Sequence, residues 1–520
     1  MTNSKPLSKS KLIAFRQCPK RLWLEVHHPE WRQDSSASLT VFRAGHEVGA
    51  LARQLFDHKS TGVLVDFKKE GIQGALERTQ ALVQECQPVF EAGFSAEGAL
   101  AFADVLLPLD ESRPPGWRMV EVKSSTSVKP YQVDDLAIQA FVARASGLRL
   151  QQVAIACVDS SWVYQGDGNY DGLLVETDLT DAALRRDVEI QGWIAQAQAV
   201  VGQQVFPETP VGIQCTSPYP CSFLSHCNQD APKAEYPVKW LPRIQSKSLS
   251  DHIAHNAVRD MRDVPEAMLN DKQRRVREAT INQREFFDAE GASRALNGCA
   301  PPAFFLDFET IQFAVPRWAG TRPFQMLPFQ FSLHHLDAEQ QVSHTGFLDL
   351  SGNDPSRAFA LALIDACEKQ GPVIVYNAGF ESSRLRELAQ RFQDLAPALQ
   401  SLRARLVDLL PIVEMHYYHP SQEGSWSIKR ILPAMFPELH YEALEAVQDG
   451  GGAMEAYVSA VSAPPESDER SAIARQLRRY CALDTAAMVL IYKSFSEGVL
   501  PSLLFVQSLF EEENLYVAIP

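Results

Sequence analysis

One segment constrains this chain more than any other. Residues 303–310 read AFFLDFET, an apolar and aromatic run of buried-strand type with Asp307 and Glu309 set two apart. Residues i and i+2 of a strand share a face, so this strand carries two carboxylates side by side at its end. Buried acids are costly unless a cation neutralises them. Two further segments offer partners. YNAGFE follows the strand-like GPVIVYN and places Glu381 near a helix start, with Asn377 as support or substrate contact. RRYCALDTAAMVLIY puts Tyr480 and Asp484 at i and i+4 on one helical face. Four carboxylates meeting at one point repel each other without metal. Two divalent ions about 3.5–4 Å apart would bind a scissile phosphate, generate hydroxide and stabilise the leaving oxygen, with Tyr480 orienting the water.

A second acidic constellation lies in the N-terminal half. GALAFADVLLPL reads as a strand, DESRPPG as a turn and WRMVEVKSS as a second strand. EVK puts Glu121 and Lys123 on one face, and Asp104 stands on the preceding strand. Two carboxylates can hold a divalent cation there, and the lysine can orient or help deprotonate a water, or stabilise phosphate charge. A solvent-facing hairpin with a cross-strand ion pair is the structural alternative. His46 on a helical stretch offers another metal ligand, Glu91 sits on a candidate strand, and Gln139 on the following helix offers an amide to phosphate or base.

Of nine cysteines, three crowd into CTSPYPCSFLSHC at Cys215, Cys221 and Cys227. The segment MTNSKPLSKSKLIAFRQCPK has no apolar h-region of a secretory signal, and no apolar run is long enough for a transmembrane helix. A cytoplasmic address without membrane association is expected, and clustered cysteines there point to a metal. The 49 basic and 64 acidic residues leave a net charge of −15. That argues against indiscriminate coating of nucleic acid, but not against a local basic groove or a metal-supplied positive site. Candidate contributors are Ser427, Lys429 and Arg430 beside Trp426, Arg475, Arg478 and Arg479 before Tyr480, and the tract DKQRRVRE, which reads foremost as a solvated helix face. Asp408 reads as a cap or accessory acid.

Residues 8–230 resemble the RecB-type PD-(D/E)XK nucleases, most nearly the iron–sulfur branch that includes the fourth CRISPR-associated protein and the AddB nuclease domain. In that likeness His46, Asp104, Glu121 and Lys123 match metal and catalytic positions, and Gln139 matches the helix motif, whose usual aromatic four residues on is Ala143 here. The resemblance implies one cysteine before the core, Cys18, and three after it, Cys215, Cys221 and Cys227, holding a [4Fe–4S] cluster or, alternatively, Zn²⁺. The first gap of the triplet is longer than usual. The C-terminal motifs, D-x-E, N-x-x-F-acid and Y-x-x-x-D, resemble the DEDDy branch of the RNase H-like 3′–5′ exonucleases, with Glu381 where Asp is usual.

The expected fold class is therefore α/β in both halves. A PD-(D/E)XK mixed sheet with flanking helices spans 1–235, a helical linker 236–300, an RNase H-like exonuclease domain 301–500 and a tail 501–520. The implied activity is Mg²⁺- or Mn²⁺-dependent hydrolysis of nucleic acid, DNA before RNA, single-stranded or end-directed, in repair, defence or turnover. A chain with one catalytic half and one binding half is the alternative. Protein partners are not indicated.

Overall fold

The structure, a computed structural model, describes residues 6–34, 36–109, 115–229, 234–367, 370–439 and 449–509. Most of the expected DESRPPG turn and the end of the tail lie outside them. The protein is α/β with mixed sheets, and it divides into two compact units. One holds residues 1–231 and 313–325; the other holds 232–312 and 326–520.

In the first unit a seven-stranded sheet runs β2–β3–β4–β5–β6–β7, with β1 on β4. Its strands are β1 (Leu7–Ser8), β2 (Val63–Leu64), β3 (Val89–Ala96), β4 (Ala99–Pro108), β5 (Trp117–Lys123), β6 (Leu150–Val158) and β7 (Leu174–Asp178). β3, β4 and β5 form antiparallel neighbours, and the helix Pro130–Ala145 carries the chain from β5 to its parallel partner β6. Leu136, Ile138, Val142 and their neighbours on that helix join Met119, Ile155 and Ala103 in one core. A helix so apolar all round is buried all round, which brings its few polar side chains against the sheet. Residues 313–325 group with this unit: Thr321 and Pro316 accept hydrogen bonds from Tyr164 N (3.0 Å) and Tyr170 Oη (3.0 Å).

The second unit is built on a five-stranded sheet and a two-stranded ribbon in which β14 (Tyr417–Tyr418) pairs β8 (Phe286–Phe287). The sheet order is β11–β10–β9–β12–β13, from β9 (Ala303–Ile311), β10 (Leu327–Leu336), β11 (Val342–Leu348), β12 (Val373–Val375) and β13 (Leu406–Asp408). β9, β10 and β11 are antiparallel, whereas β9, β12 and β13 are parallel. The stretch expected as a linker belongs to this unit. Its helix Asp271–Ile281 is capped by Asn270, and the side chains of DKQRRVRE are spent on structure: Lys272 pairs Glu414, and Arg275 donates to the carbonyls of Glu414 and Met415.

β9 is covered on both sides, which explains its apolar start Ala303–Leu306. Phe304, Leu306 and Phe308 enter a core with Phe359, Leu363, Leu385 and Leu399. The opposite face meets the helix Asp468–Glu497, where Phe305 lies edge-on to Tyr492 with ring centres 5.3 Å apart. That helix starts at Ser467, whose side chain accepts from Arg470 N, and stops at Gly498, whose φ of +72° ends it in the left-handed region. Tyr480 and Asp484 sit on the ridge that also carries Tyr492, so the facing alternation of β9 brings Asp307 and Glu309 to them. No helix among the described residues is long and apolar enough to cross a membrane.

Candidate active sites

The acids of the second unit gather in one cleft of about 380 Å³, lined by Asp307, Glu309, Glu381, Tyr480 and Asp484 together with Asn377. Glu309, Glu381 and Asp484 are buried. Burial first, then Asp484, Glu309 and Glu381, push Asp307 well above the ordinary carboxylate range. Burial and Asp484 push Glu309 up to about 8, against the opposing charge of Lys429. Glu381, in the first turn of the helix Gly379–Arg391, is pushed up to about 8 by burial and by Asp408, and its Oε2 is buried without a hydrogen-bond partner. A buried oxygen left unsatisfied beside three more acids fits a divalent cation.

Tyr480 is the contact between this acid cluster and a lysine. Its hydroxyl accepts from Lys429 Nζ at 2.9 Å, and burial together with Asp484, Glu309 and Asp307 holds the phenol far above its usual range. It therefore stays protonated and free to donate its own hydrogen. Lys429, on the helix Ile428–Met435, is thus drawn into the acid site. Of the neighbours expected beside it, Trp426 is buried, its indole donating to Tyr417 O (2.8 Å), and Arg430 pairs Glu423 (3.4 Å). Asn377 is exposed at a φ of +72° in the turn after β12, and its N–H donates to Asp408 Oδ1 (3.0 Å). Asp408 also accepts from Leu410 N (3.1 Å), so it is a cap for the next helix.

The first unit brings Asp104, Glu121, Lys123 and Gln139 together, with two residues that sequence reasoning missed. Glu121 Oε1 accepts from Lys123 Nζ (2.6 Å) and from Lys9 Nζ (2.9 Å), and Oε2 accepts from Gln139 Nε2 (2.5 Å). Asp135 bridges the same lysines, at 2.6 Å from Lys123 and 3.4 Å from Lys9. Burial opposes the charge on Glu121, but Lys123 and Lys9 overcome it and hold the carboxyl well below its usual range. Burial likewise opposes the Lys123 charge, and Glu121 and Asp135 overcome that, holding it well above its usual value. Asp104 is pushed up to about 8 by burial and Glu121, and its Oδ2 accepts from Val122 N (2.7 Å).

Glu91 takes its place through an unusual backbone. The pairings of Phe90 with Val105 and Ala92 with Ala103 set it opposite Asp104, at a φ of +58° within β3. Left-handed geometry in a non-glycine strand residue costs energy and clusters at functional sites. Burial pushes Glu91 up, with Glu121 adding to the effect and Arg53, Lys9 and His46 opposing it. His46 is exposed on the helix Ser36–Phe56 and reaches the cluster through that electrostatic contact with Glu91.

The four cysteines Cys18, Cys215, Cys221 and Cys227 line one enclosed pocket with Lys20, Arg21 and Phe223. Cys18 stands at the junction of the helices Lys9–Gln17 and Pro19–His27; Cys221 N donates to Cys215 O (2.8 Å). All four thiols are free. A single tetrahedral zinc would hold its sulfurs about 3.8 Å apart. Among the described residues, no three of these sulfurs are grouped within 4.8 Å of one another.

Against known proteins, a family model described as a domain of unknown function (DUF2779) matches residues 304–427. That span contains Asp307, Glu309, Asn377 and Glu381 and ends before Tyr480. An uncharacterized protein of Mycoplasma genitalium, MG366, is 24% identical over 232 residues, covering 41% of this chain and 33% of that protein. The chain thus spans about a third of the length of the curated relative it matches.

Lys9, Asp135 and Cys481 escaped the motif reading. Asp135 left a signal, since Asp135 and Gln139 are one helical turn apart and so share a face. Lys9 left none: SKSKL is a polar helix start, and only tertiary packing lays it on Glu121. Cys481 was set aside as a core cysteine. It is fully buried, yet its thiol donates toward Asp307 Oδ2 at 3.6 Å.

Proposed function

We propose that the protein is a metal-dependent nuclease whose C-terminal unit works as a 3′–5′ exonuclease of DEDDy type. The observation that carries this reading is the meeting of Asp307, Glu309, Glu381 and Asp484, from three separate segments, with Tyr480 in one cleft. Mg²⁺ or Mn²⁺ held by those four carboxylates would supply the charge that binds a scissile phosphate and lowers the pKa of the attacking water. Tyr480, kept protonated and accepting from Lys429, offers its hydrogen to that water or to a phosphate oxygen. Lys429 places positive charge beside Glu309, where the phosphate's own charge develops. DNA is the favoured polymer.

The N-terminal unit, in this reading, is a RecB-like PD-(D/E)XK nuclease centre stapled by a four-cysteine cluster. Asp104 and Glu121, aided by His46, would hold its cation, and Lys123 would face the phosphate. Because Lys123 is held charged between Glu121 and Asp135, it serves phosphate charge and not proton abstraction. The resemblance to the iron–sulfur branch favours a [4Fe–4S] cluster over zinc at these four cysteines.

A second reading is favoured by one observation: both oxygens of Glu121 are already engaged, by two lysines and an amide. The N-terminal unit would then grip nucleic acid while the C-terminal one cuts. The test is a panel of 5′- and 3′-labelled DNA and RNA with Mg²⁺ or Mn²⁺, run on the wild type, Asp307→Ala and Lys123→Ala. Loss of cleavage in both variants, each for a different product, supports two nucleases. Loss in Asp307→Ala alone supports the gripping role. No cleavage of any polymer with either metal overturns the nuclease reading. Iron and sulfide content after anaerobic purification decides the cluster, and a colourless sample lacking both ends the iron–sulfur proposal.

A further inference from the structure

Cys481 is not part of the DEDDy reading, yet it stands closer to Asp307 than a bystander would. Its Sγ lies 3.6 Å from Asp307 Oδ2 and 3.8 Å from Asp307 O. One ligand atom each of Asp307, Glu309 and Cys481 fall within 4.8 Å of one another. Tetrahedral coordination, with metal–sulfur about 2.3 Å and metal–oxygen about 2.1 Å, sets a sulfur and an oxygen about 3.6 Å apart. A second and independent observation points to a ligand at this place: Glu381 is 2% exposed, its Oε2 has no partner, and it lines the same cleft as Asp307 and Glu309.

We infer that Asp307, Glu309 and Cys481 form a thiolate-containing site for a soft or borderline divalent cation, Zn²⁺ or Cd²⁺, overlapping the place of the hydrolytic metals. The chemistry follows from the donor set. Mg²⁺ takes oxygen ligands in octahedral geometry and gains nothing from sulfur. A thiolate selects zinc-like ions, which also bind nitrogen, oxygen and sulfur sites more tightly than Mn²⁺ does. On binding, the thiol loses its proton to solvent, and three negative ligands face a divalent charge. An ion held by Cys481 together with Asp307 and Glu309 would exclude the hydrolytic cations from those two carboxylates. The consequence is zinc inhibition. It rests on the nuclease reading, whereas the binding site itself does not.

The test uses the full chain and Cd²⁺, whose bond to a thiolate gives an ultraviolet charge-transfer band. The cysteine cluster contributes its own background, so the readout is the spectrum of wild type minus that of Cys481→Ser, with Cys481→Ala as the alternative should serine in that apolar setting prevent folding. The expected result is one thiolate's worth of band in the difference, lost also in Asp307→Asn. Zinc should inhibit Mn²⁺-supported cleavage by the wild type at least ~10-fold more tightly than it inhibits either cysteine variant. Folded wild-type and variant proteins with the same band and the same zinc sensitivity would overturn the inference and leave Cys481 as a hydrogen-bond donor to Asp307. A band without cleavage in any protein would support the metal site while the nuclease reading falls; cleavage without the band would do the reverse.

Discussion

The two acidic sites solve one electrostatic problem in opposite ways. Around Glu121 the protein supplies its own cations. Lys9 and Lys123 lie within 3.4 Å of Glu121 or Asp135, and the charges close into a network. Around Asp307 burial and mutual repulsion dominate: four carboxylates meet, with Lys429 opposing them at Glu309 and Tyr480 and Arg384 at Glu381. In the first arrangement lysines hold Glu121 charged, although Asp104 and Glu91 beside it are still pushed up; in the second, Asp307, Glu309 and Glu381 are all pushed up. A like number of acids therefore does not make two like sites. What distinguishes them is how far burial of the acids has been answered by lysine.

The sharpest test of that contrast is activity. Asp307→Asn should lower 3′–5′ cleavage by on the order of 100-fold or more, because it removes a group that holds the reacting charge. Initial rates on a 3′-terminal single strand measure this. A loss of only two- or threefold would remove the acid cluster from the chemistry.

Stability should move in opposite directions at the two sites. Glu121→Gln breaks a buried, hydrogen-bonded network and leaves two lysines short of a partner, costing about 3 kcal/mol. Asp307→Asn relieves repulsion among acids and should raise the metal-free denaturation midpoint. Urea unfolding in the presence of a chelator compares them, and the same sign at both sites would break the distinction.

The pH dependence gives a smaller signal of known direction. Glu309 and Glu381 hold protons in the folded protein up to about pH 8, whereas in the unfolded chain they release them near their ordinary value of about 4.5. The folded state thus binds more protons through that window, so metal-free stability is fully present below it and falls as pH rises across it. Added Mn²⁺ should reverse the slope, since metal binds the deprotonated acids. Melting temperatures across the window, with and without Mn²⁺, check this, and a flat metal-free profile would contradict it.

The smallest effect expected is that of Lys429→Met. Removing the lysine whose charge opposes the rise of Glu309 raises that carboxyl further, so the midpoint for Mn²⁺-supported activity should move to higher pH, with a loss of about 10-fold or less at neutral pH. The pH–rate profile of the variant reads it out. An unmoved profile would assign Lys429 to Tyr480 alone.

How much of this was legible follows from the range of each interaction. Periodicity is local, so the strands at Ala99–Pro108, Trp117–Lys123 and Ala303–Ile311 and the long helix at Asp468–Glu497 could be read directly, as could the pairs Asp307–Glu309 and Tyr480–Asp484 that share a face within one element. Asp408 gave itself away as a cap because capping is also local. The basic tract 271–278 looked solvated, but Arg275 and Lys272 have partners more than 100 residues away: Arg275 with Glu414 and Met415, Lys272 with Glu414.

The sequence by itself determined which residues carry charge, which element each one rides on and which face it shares with its neighbours, because these depend on backbone geometry over a few residues. Only the tertiary structure decided that Lys9 and Asp135 complete one site, that Lys429 and Cys481 join the other, and that Glu121 is neutralised while Glu381 is left unsatisfied. Those outcomes depend on burial and on distances of a few ångströms between segments remote in the chain, and Coulomb energy in a buried site changes steeply over such distances.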